Sequence, residues 1–206
     1  MVDSLVIGII GVQGAVEEHF LMMQQLIDEY GSDFSISARI IRKAKDFEEV
    51  DGVIIPGGES TTISQMLKKK LLFNPLEQRI KDHSICVMGT CAGCVLLAKQ
   101  VVGAPKDLSL LYAMDMEVKR NAFGRQRESF ERFIDIKGIG KLFPAVFIRA
   151  PVITKVWESC QILARSDDAI VMAEDNTFLG VSFHPELTKD LRVHNYFLSK
   201  VEKQKS

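Results

Sequence analysis

The chain has 206 residues, 47% of them hydrophobic and 26% charged, enough apolar matter to bury one substantial core, and a single domain over 1–206 is expected. Its 26 basic and 27 acidic residues are interspersed and leave a formal charge of -1, so no nucleic acid is expected as a partner. No apolar run approaches the roughly 18 residues of a membrane span, the stretch from Met1 to Gly14 lacks the basic start of a signal peptide, and four cysteines in so long a chain suit a reducing cytoplasm better than a disulfide scaffold.

In chain order, Leu5 to Ile10 reads as a buried strand, and Ala15 to Tyr30 as an amphipathic helix with Val16, Phe20, Met23, Ile27 and Tyr30 near helical spacing. Ile36 to Ile41 is a second strand. Val53 to Ile55 is a third, closing at Pro56-Gly57-Gly58, after which Ser60 or Thr61 is the expected cap of a helix running to about Lys70. A helix from Pro75 to Lys81 precedes the buried strand Ile85-Cys86-Val87-Met88, and Val95 to Ala98 reads as the first turns of the next helix. Strands interleaved with helices imply parallel pairing through right-handed crossovers.

The second half changes character. Met114 to Lys119, Phe130 to Ile136, Val146 to Arg149, Gln161 to Ala164, Ala169 to Ala173 and Phe178 to Phe183 are strand-like with few helices between them, which predicts antiparallel pairing. A last helix, about Lys189 to Glu202, turns Leu191, Leu198 and Val201 inward. The expected class is α/β: a three-layer sandwich around a largely parallel central sheet, with an antiparallel extension in the second half.

Chemistry concentrates at the turns that follow strands, where ligands collect in such sheets. Gly89-Thr90-Cys91-Ala92-Gly93 places a cysteine at a strand-to-helix corner, the thiol version of the nucleophile elbow, whose small neighbours permit a sharp turn. A helix N-terminus beneath the sulfur favours the thiolate that attacks. A nucleophile needs a base, and the base needs an orienting group. His184-Pro185-Glu186 ends the last strand, so that Glu186 is able to accept one ring N–H of His184 while the other nitrogen faces Cys91, giving a Cys-His-Glu triad. Donors for a developing oxyanion are the N–H of Ala92, just after the nucleophile, and the adjacent Gly57 and Gly58, which allow close backbone approach to a ligand. His19 and His194 lie in helical patterns and His83 precedes a strand, and all three read as surface or packing residues.

Pro56-Gly57-Gly58-Glu59-Ser60, Gly89-Thr90-Cys91-Ala92-Gly93 and His184-Pro185-Glu186, in that order on an α/β chain, resemble the class I glutamine amidotransferases, the triad glutaminases, with their flavodoxin-like fold. Gly11-Val12-Gln13-Gly14-Ala15, Arg120-Asn121-Ala122-Phe123-Gly124-Arg125-Gln126, Phe147-Ile148-Arg149-Ala150-Pro151 and Phe183-His184-Pro185-Glu186-Leu187 are similar, within that family, to the glutaminase subunits of pyridoxal 5'-phosphate synthase. Another triad glutaminase, such as one feeding histidine synthesis, would share the triad but not the Arg120 to Gln126 segment.

The resemblance implies Cys91 as nucleophile, His184 as general acid and base and Glu186 as its orienter, acting on L-glutamine without a cofactor or metal. It implies glutamine contacts at Gly58, Glu59, Ser60, Arg120, Ile148 and Arg149, and an arginine fork suits a substrate carboxylate. It places Gln13 near the active site and the partner interface, completing the oxyanion hole on docking. The implied partner is a barrel-shaped synthase subunit that receives the ammonia, with weak activity expected in its absence. Cys94 departs from the pattern: it stands where the family usually carries an apolar residue and creates Cys91-Ala92-Gly93-Cys94, a C-x-x-C at a helix start, the position of a thioredoxin-like redox pair. His83, Cys86, Cys91 and Cys94 have spacings that superficially suit zinc.

Overall fold

In the computed structural model, which describes residues 4–31, 35–122 and 129–206, the first strand is apolar on both faces. All six residues of β1 (Leu5–Ile10) are buried, a pattern stable only with a layer packed on each side. Period-two alternation divides the strand between them. Leu5, Ile7 and Ile9 meet Met23 and Leu26 of α1 (Val16–Tyr30) and Val193, Phe197, Leu198 and Val201 of α5 (Arg192–Lys205). Val6 and Ile10 belong to the opposite core, with Ile63 and Leu67 of α2 (Ser60–Lys69), Leu76 and Ile80 of α3 (Phe73–Lys81) and Val95 and Leu96 of α4 (Ala92–Leu97). The result is the expected three-layer sandwich.

Beside β1 lie β2 (Ile36–Ile41) and β3 (Gly52–Ile55), followed by β4 (Cys86–Thr90) and β12 (Phe178–Val181), all parallel. The sheet continues through β11 (Ala169–Glu174), β10 (Gln161–Ser166), β7 (Ser129–Ile136) and β8 (Gly140–Ile148), all antiparallel. Its order, β2-β1-β3-β4-β12-β11-β10-β7-β8, reverses direction between β1 and β3. That reversal is a topological switch point, and the crevice it opens beyond the strand ends is where doubly wound sheets bind ligands. The loops after β1 and β3 carry Gln13 and Gly57-Gly58.

Four elements differ from the sequence expectation. The helix after the elbow is six residues long and stops at Leu97, where β5 (Ala98–Val102) begins. Its Val95-Leu96-Leu97 run is apolar because the whole helix is buried. Among the described residues β5 pairs only with β6 (Met114–Lys119), which leads through β9 (Val152–Val156) back to β11. β5 and β9 escape the pattern because each mixes exposed and buried residues without alternation. β8 is longer than Val146 to Arg149 and runs through Pro144; it is the last strand of the sheet, where a residue without an N–H is tolerated.

Candidate active site

The elbow is forced by contact between backbones. A Cβ on Gly89 would lie 2.5 Å from the carbonyl of Gly93, and one on Gly93 would lie 2.2 Å from the carbonyl oxygen of Ile55. Glycine at both positions lets β4 turn into α4 directly over β3. Between them Cys91 adopts φ 47 and ψ -102, a conformation that L side chains rarely take and that clusters at functional sites. Its N–H donates to the Val181 carbonyl at 2.7 Å, which locks the elbow to β12, the strand that delivers the histidine.

Just beyond β12, the His184 N–H donates to the Val146 carbonyl at 2.8 Å. Pro185–Leu187 then form a single 3-10 turn with proline in first position, where its missing N–H is no loss. This tight turn brings the side chains together: His184 Nδ1 donates to Glu186 Oε1 at 2.7 Å. His184 is 8% exposed and Glu186 5%. Burial alone would lower the proton affinity of His184, but hydrogen bonds and charge from Cys91 and Glu186 prevail and raise its pKa to about 10. Burial alone would raise that of Glu186, yet the facing histidines His19 and His184 hold it below the ordinary carboxylate value. The carboxylate is therefore ionised and the imidazole is held ready to carry a proton.

Gly57 forms the floor of this arrangement. A Cβ there would lie 2.5 Å from His184 Cε1, 3.0 Å from Nδ1 and 3.3 Å from Cys91 Cβ. Gly57→Ala is expected to displace the imidazole and lower turnover about 10²-fold while leaving the unfolding temperature close to that of the parent, as paired kinetic and thermal-melt measurements would read. The Gly57 carbonyl accepts from the Ala15 N–H at 3.0 Å, and in a trans peptide the Gly58 N–H then points to the opposite side.

Beside Cys91 opens a pocket of about 340 Å³, lined by Gly58, Glu59, Ser60, Ala92, Arg120, Ile148 and Arg149 together with Val95, Asn121 and Pro151. All six positions expected to touch glutamine are thus brought together. Val95, Asn121 and Pro151 complete the lining, Asn121 and Pro151 from inside the motif segments and Val95 with no motif to mark it. Cys91, Asn121 and Arg149 all have positive φ, so three of the pocket's residues are held in sparsely populated backbone. Cys91 Sγ approaches the Ile148 carbonyl at 4.0 Å. Glu59, rather than Ser60 or Thr61, caps α2: its carboxylate accepts from the Thr61 and Thr62 N–H groups at 3.0 and 2.7 Å and from Arg120 Nη2 at 3.0 Å. Those backbone bonds outweigh partial burial and keep Glu59 below the usual carboxylate range.

Gln13 and Gly57 stand behind the pocket rather than in its wall. Gln13 Oε1 accepts from the Glu59 N–H at 3.1 Å and would clash at 2.4 Å with a Cβ on Gly58, so it holds down the loop after β3. Residues 123–128, which contain the Phe123-Gly124-Arg125-Gln126 part of one motif, lie outside the described residues. A larger cleft of about 740 Å³, between β11 and α5, contains none of the candidate site residues.

His19 and His194 are not surface residues: both are fully buried. His19 Nε2 lies 2.9 Å from Thr90 Oγ1 and 3.3 Å from Glu186 Oε2, and its Nδ1 lies 3.0 Å from His194 Nε2. Helical spacing marks His19 as inward, one turn from Met23, but gives no sign of the carboxylate it faces. Cys94 is fully buried, with its sulfur against Gly180 of β12, and burial pushes its thiol well above the ordinary range. All four cysteines are free. Cys86 donates to Gln204 Oε1 at 2.6 Å and His83 stacks on Phe178, so the residues with zinc-like spacing do not converge, and no metal-holding group of His, Cys, Asp and Glu occurs among the described residues.

The model of the SNO glutamine amidotransferase family matches residues 9–203, a span that takes in every motif of this site. The chain belongs to that family. Among curated relatives of this amidotransferase, pyridoxal 5'-phosphate synthase subunit PdxT of Thermosipho africanus is 44% identical over 96% of this chain and 99% of its own. The protein of the same name from Geobacillus thermodenitrificans is 45% identical over 97% of each chain, and that of Pyrococcus furiosus 42% identical over 95% and 98%. A crystal structure of a glutamine amidotransferase superposes with a TM-score of 0.84 at 38% identity, covering 95% of this chain and 98% of that one. A Thermotoga maritima glutamine amidotransferase shares the fold at TM-score 0.60 and 17% identity, over 98% and 85% of the two chains.

Proposed function

We propose that this amidotransferase is the glutaminase subunit of a pyridoxal 5'-phosphate synthase: it hydrolyses L-glutamine to L-glutamate and ammonia in the cytoplasm and passes the ammonia to a barrel-shaped synthase subunit in a hetero-oligomer. The observation that carries this reading is the 2.7 Å bond between His184 and Glu186 beside a cysteine that opens on a pocket lined by all six glutamine-contact candidates. At about 340 Å³ the pocket suits one amino-acid ligand. The relatives' shared name supports the choice of partner.

The geometry supports the following steps. Cys91 Sγ attacks the side-chain amide carbon of glutamine, the thiol proton resides on His184, and the carbonyl electrons move to oxygen, facing the N–H groups of Ala92 and Gly58. Collapse of that tetrahedral species breaks the C–N bond as His184 gives its proton to the leaving nitrogen, releasing ammonia and leaving a thioester. Water loses a proton to His184 as its oxygen adds to the thioester carbon; the C–S bond then breaks, glutamate departs and His184 returns the proton to the sulfur. Glu59, ionised at the pocket wall, receives the α-ammonium of glutamine, while Arg120 and Arg149 receive its α-carboxylate. Gln13 acts on the oxyanion hole by fixing the loop that carries Gly58.

Steady-state ammonia release, titrated with a pyridoxal phosphate synthase subunit, tests reaction and partner together. Weak turnover of the subunit alone and a saturable rise on adding the synthase are expected, because docking against the glycine loop completes the oxyanion hole. Equal turnover with and without the synthase would refute the partner, and no ammonia under either condition would refute the reaction.

A further inference from the structure

His184 engages one oxygen of Glu186, Oε1. Oε2 is buried and makes no hydrogen bond of good geometry among the described residues, yet the Nε2 of His19 lies 3.3 Å away. His19 is on α1, remote in sequence from both arms of the site, and the same nitrogen lies 2.9 Å from the hydroxyl of Thr90. Thr90 is the residue before Cys91, and Glu186 is the residue that orients His184. One ring nitrogen therefore touches both the elbow and the turn that must stay in register with it.

The surroundings fix which nitrogen bears the proton. A bare Nε2 lone pair aimed at an ionised, buried carboxylate would be repelled, so Nε2 carries hydrogen and Nδ1 is the acceptor. Nδ1 lies 3.0 Å from His194 Nε2, which then donates, and leaves His194 Nδ1 as a buried lone pair without a partner. In the alternative tautomer His194 Nδ1 would be a buried unpaired N–H, which is rarer and costlier than an unpaired lone pair. Burial lowers the proton affinity of both rings, that of His194 to about 3, and keeps them neutral. The titratable groups facing this set are Cys91 and Glu186 around His184, His19 and His184 around Glu186 with His194 beyond, and Glu18 beside His19.

We infer that His19 is a positioning residue of the glutaminase site: its Nε2–H, set by donation from His194, clamps Glu186 to Thr90 and so holds Glu186 Oε1 on His184 and His184 in register with Cys91. It touches neither glutamine nor the reacting sulfur. The inference rests on the glutaminase reading of Cys91, His184 and Glu186, and its test separates the two.

The test uses the full chain with its synthase partner and three variants: His19→Leu, which keeps bulk and removes the N–H; His19→Gln, whose amide N–H reaches toward the same carboxylate; and His194→Leu, which frees the His19 tautomer. Each is assayed for kcat and KM across pH and for the rate at which iodoacetamide alkylates Cys91, read by peptide mass spectrometry. His19→Leu is expected to lower kcat about 10–10²-fold with KM little changed, to move the upper limb of the pH profile down and to slow Cys91 alkylation, with His19→Gln recovering most of each loss. His194→Leu shifts the same limb less, and carries the test with His19→Gln if His19→Leu does not fold. A folded His19→Leu with the parent's kcat and pH profile would overturn the inference, as would equal losses in the Leu and Gln variants with an unmoved limb. A Cys91→Ala control that still hydrolyses glutamine would sink the assignment of Cys91 as nucleophile, on which this inference rests, whatever the His19 variants show.

Discussion

Replacing Cys91 with alanine is expected to lower glutamine hydrolysis by about 10⁴–10⁶-fold without unfolding the chain. The substitution removes only the sulfur: the Cβ that alanine retains is the atom seated 3.3 Å from the position of a Cβ on Gly57, and the N–H that locks the elbow to Val181 is unchanged. Glutamine should still bind, because Glu59, Ser60, Arg120 and Arg149 line the pocket independently of the thiol. Calorimetric titration with glutamine should therefore retain affinity in a protein that releases no ammonia. His184→Ala is expected to be as severe, and the double variant no worse than either single one, since residues that act as a unit lose their effect together. Additive losses would show that the two side chains act separately and would contradict the proposed thiol-to-imidazole proton transfer.

The parts of this molecule that were legible in its sequence are those where one physical cause acts locally. The buried parallel strands announce themselves because both faces are covered, so Leu5 to Ile10 and Val53 to Ile55 are unbroken apolar runs. The glycines of the elbow are visible because backbone packs against backbone at Gly89 and Gly93, and nothing larger fits. The turn holding His184 and Glu186 is visible because proline fixes it. What stayed hidden depends on partners far away in sequence. β5 forms only because β6 lies beside it, and its first residue, Ala98, closes the apolar run that reads as a helix. The cap of α2 went to Glu59 because Arg120, 61 residues on, also holds that carboxylate.

His19 is the sharpest case. From its helix it is one more inward residue, and the default for an inward histidine is packing. Only the crossing of α1 beneath the end of β4 and the turn after β12 gives it Thr90 and Glu186 as neighbours. The same crossing explains why the site sits at the switch point of the sheet. The connections leaving β1 and β3 part there, so the loops after them and the elbow after β4 surround one space, while the parallel pairing of β12 with β4 sets His184 beside Cys91.

Glu186→Gln probes the whole chain of support, because an amide offers one acceptor where the carboxylate offered two. His184 Nδ1–H and His19 Nε2–H both face this side chain. If the amide oxygen turns to His184, its NH₂ confronts the N–H of His19; if it turns to His19, the NH₂ forces His184 into the wrong tautomer. Turnover is expected to fall by up to about 10⁴-fold, the cost of the same change in a serine-protease triad. The pH dependence follows from the direction of the shifts. His184, raised from 6.5 to about 10, contributes stability that is complete below 6.5 and fades as pH rises toward 10; Glu186, lowered from 4.5, contributes above that value and loses it as acid protonates the carboxylate. The parent should thus keep the pair across neutral pH and retain its upper activity limb well into alkali, where His184 still holds the proton that departing ammonia needs. In Glu186→Gln two of the groups' stabilising effects on the imidazolium vanish, so the upper limb moves down and the stability curve flattens on its alkaline side. An upper limb at the parent's position, with turnover lowered uniformly, would mean that Glu186 orients the ring without supporting its charge.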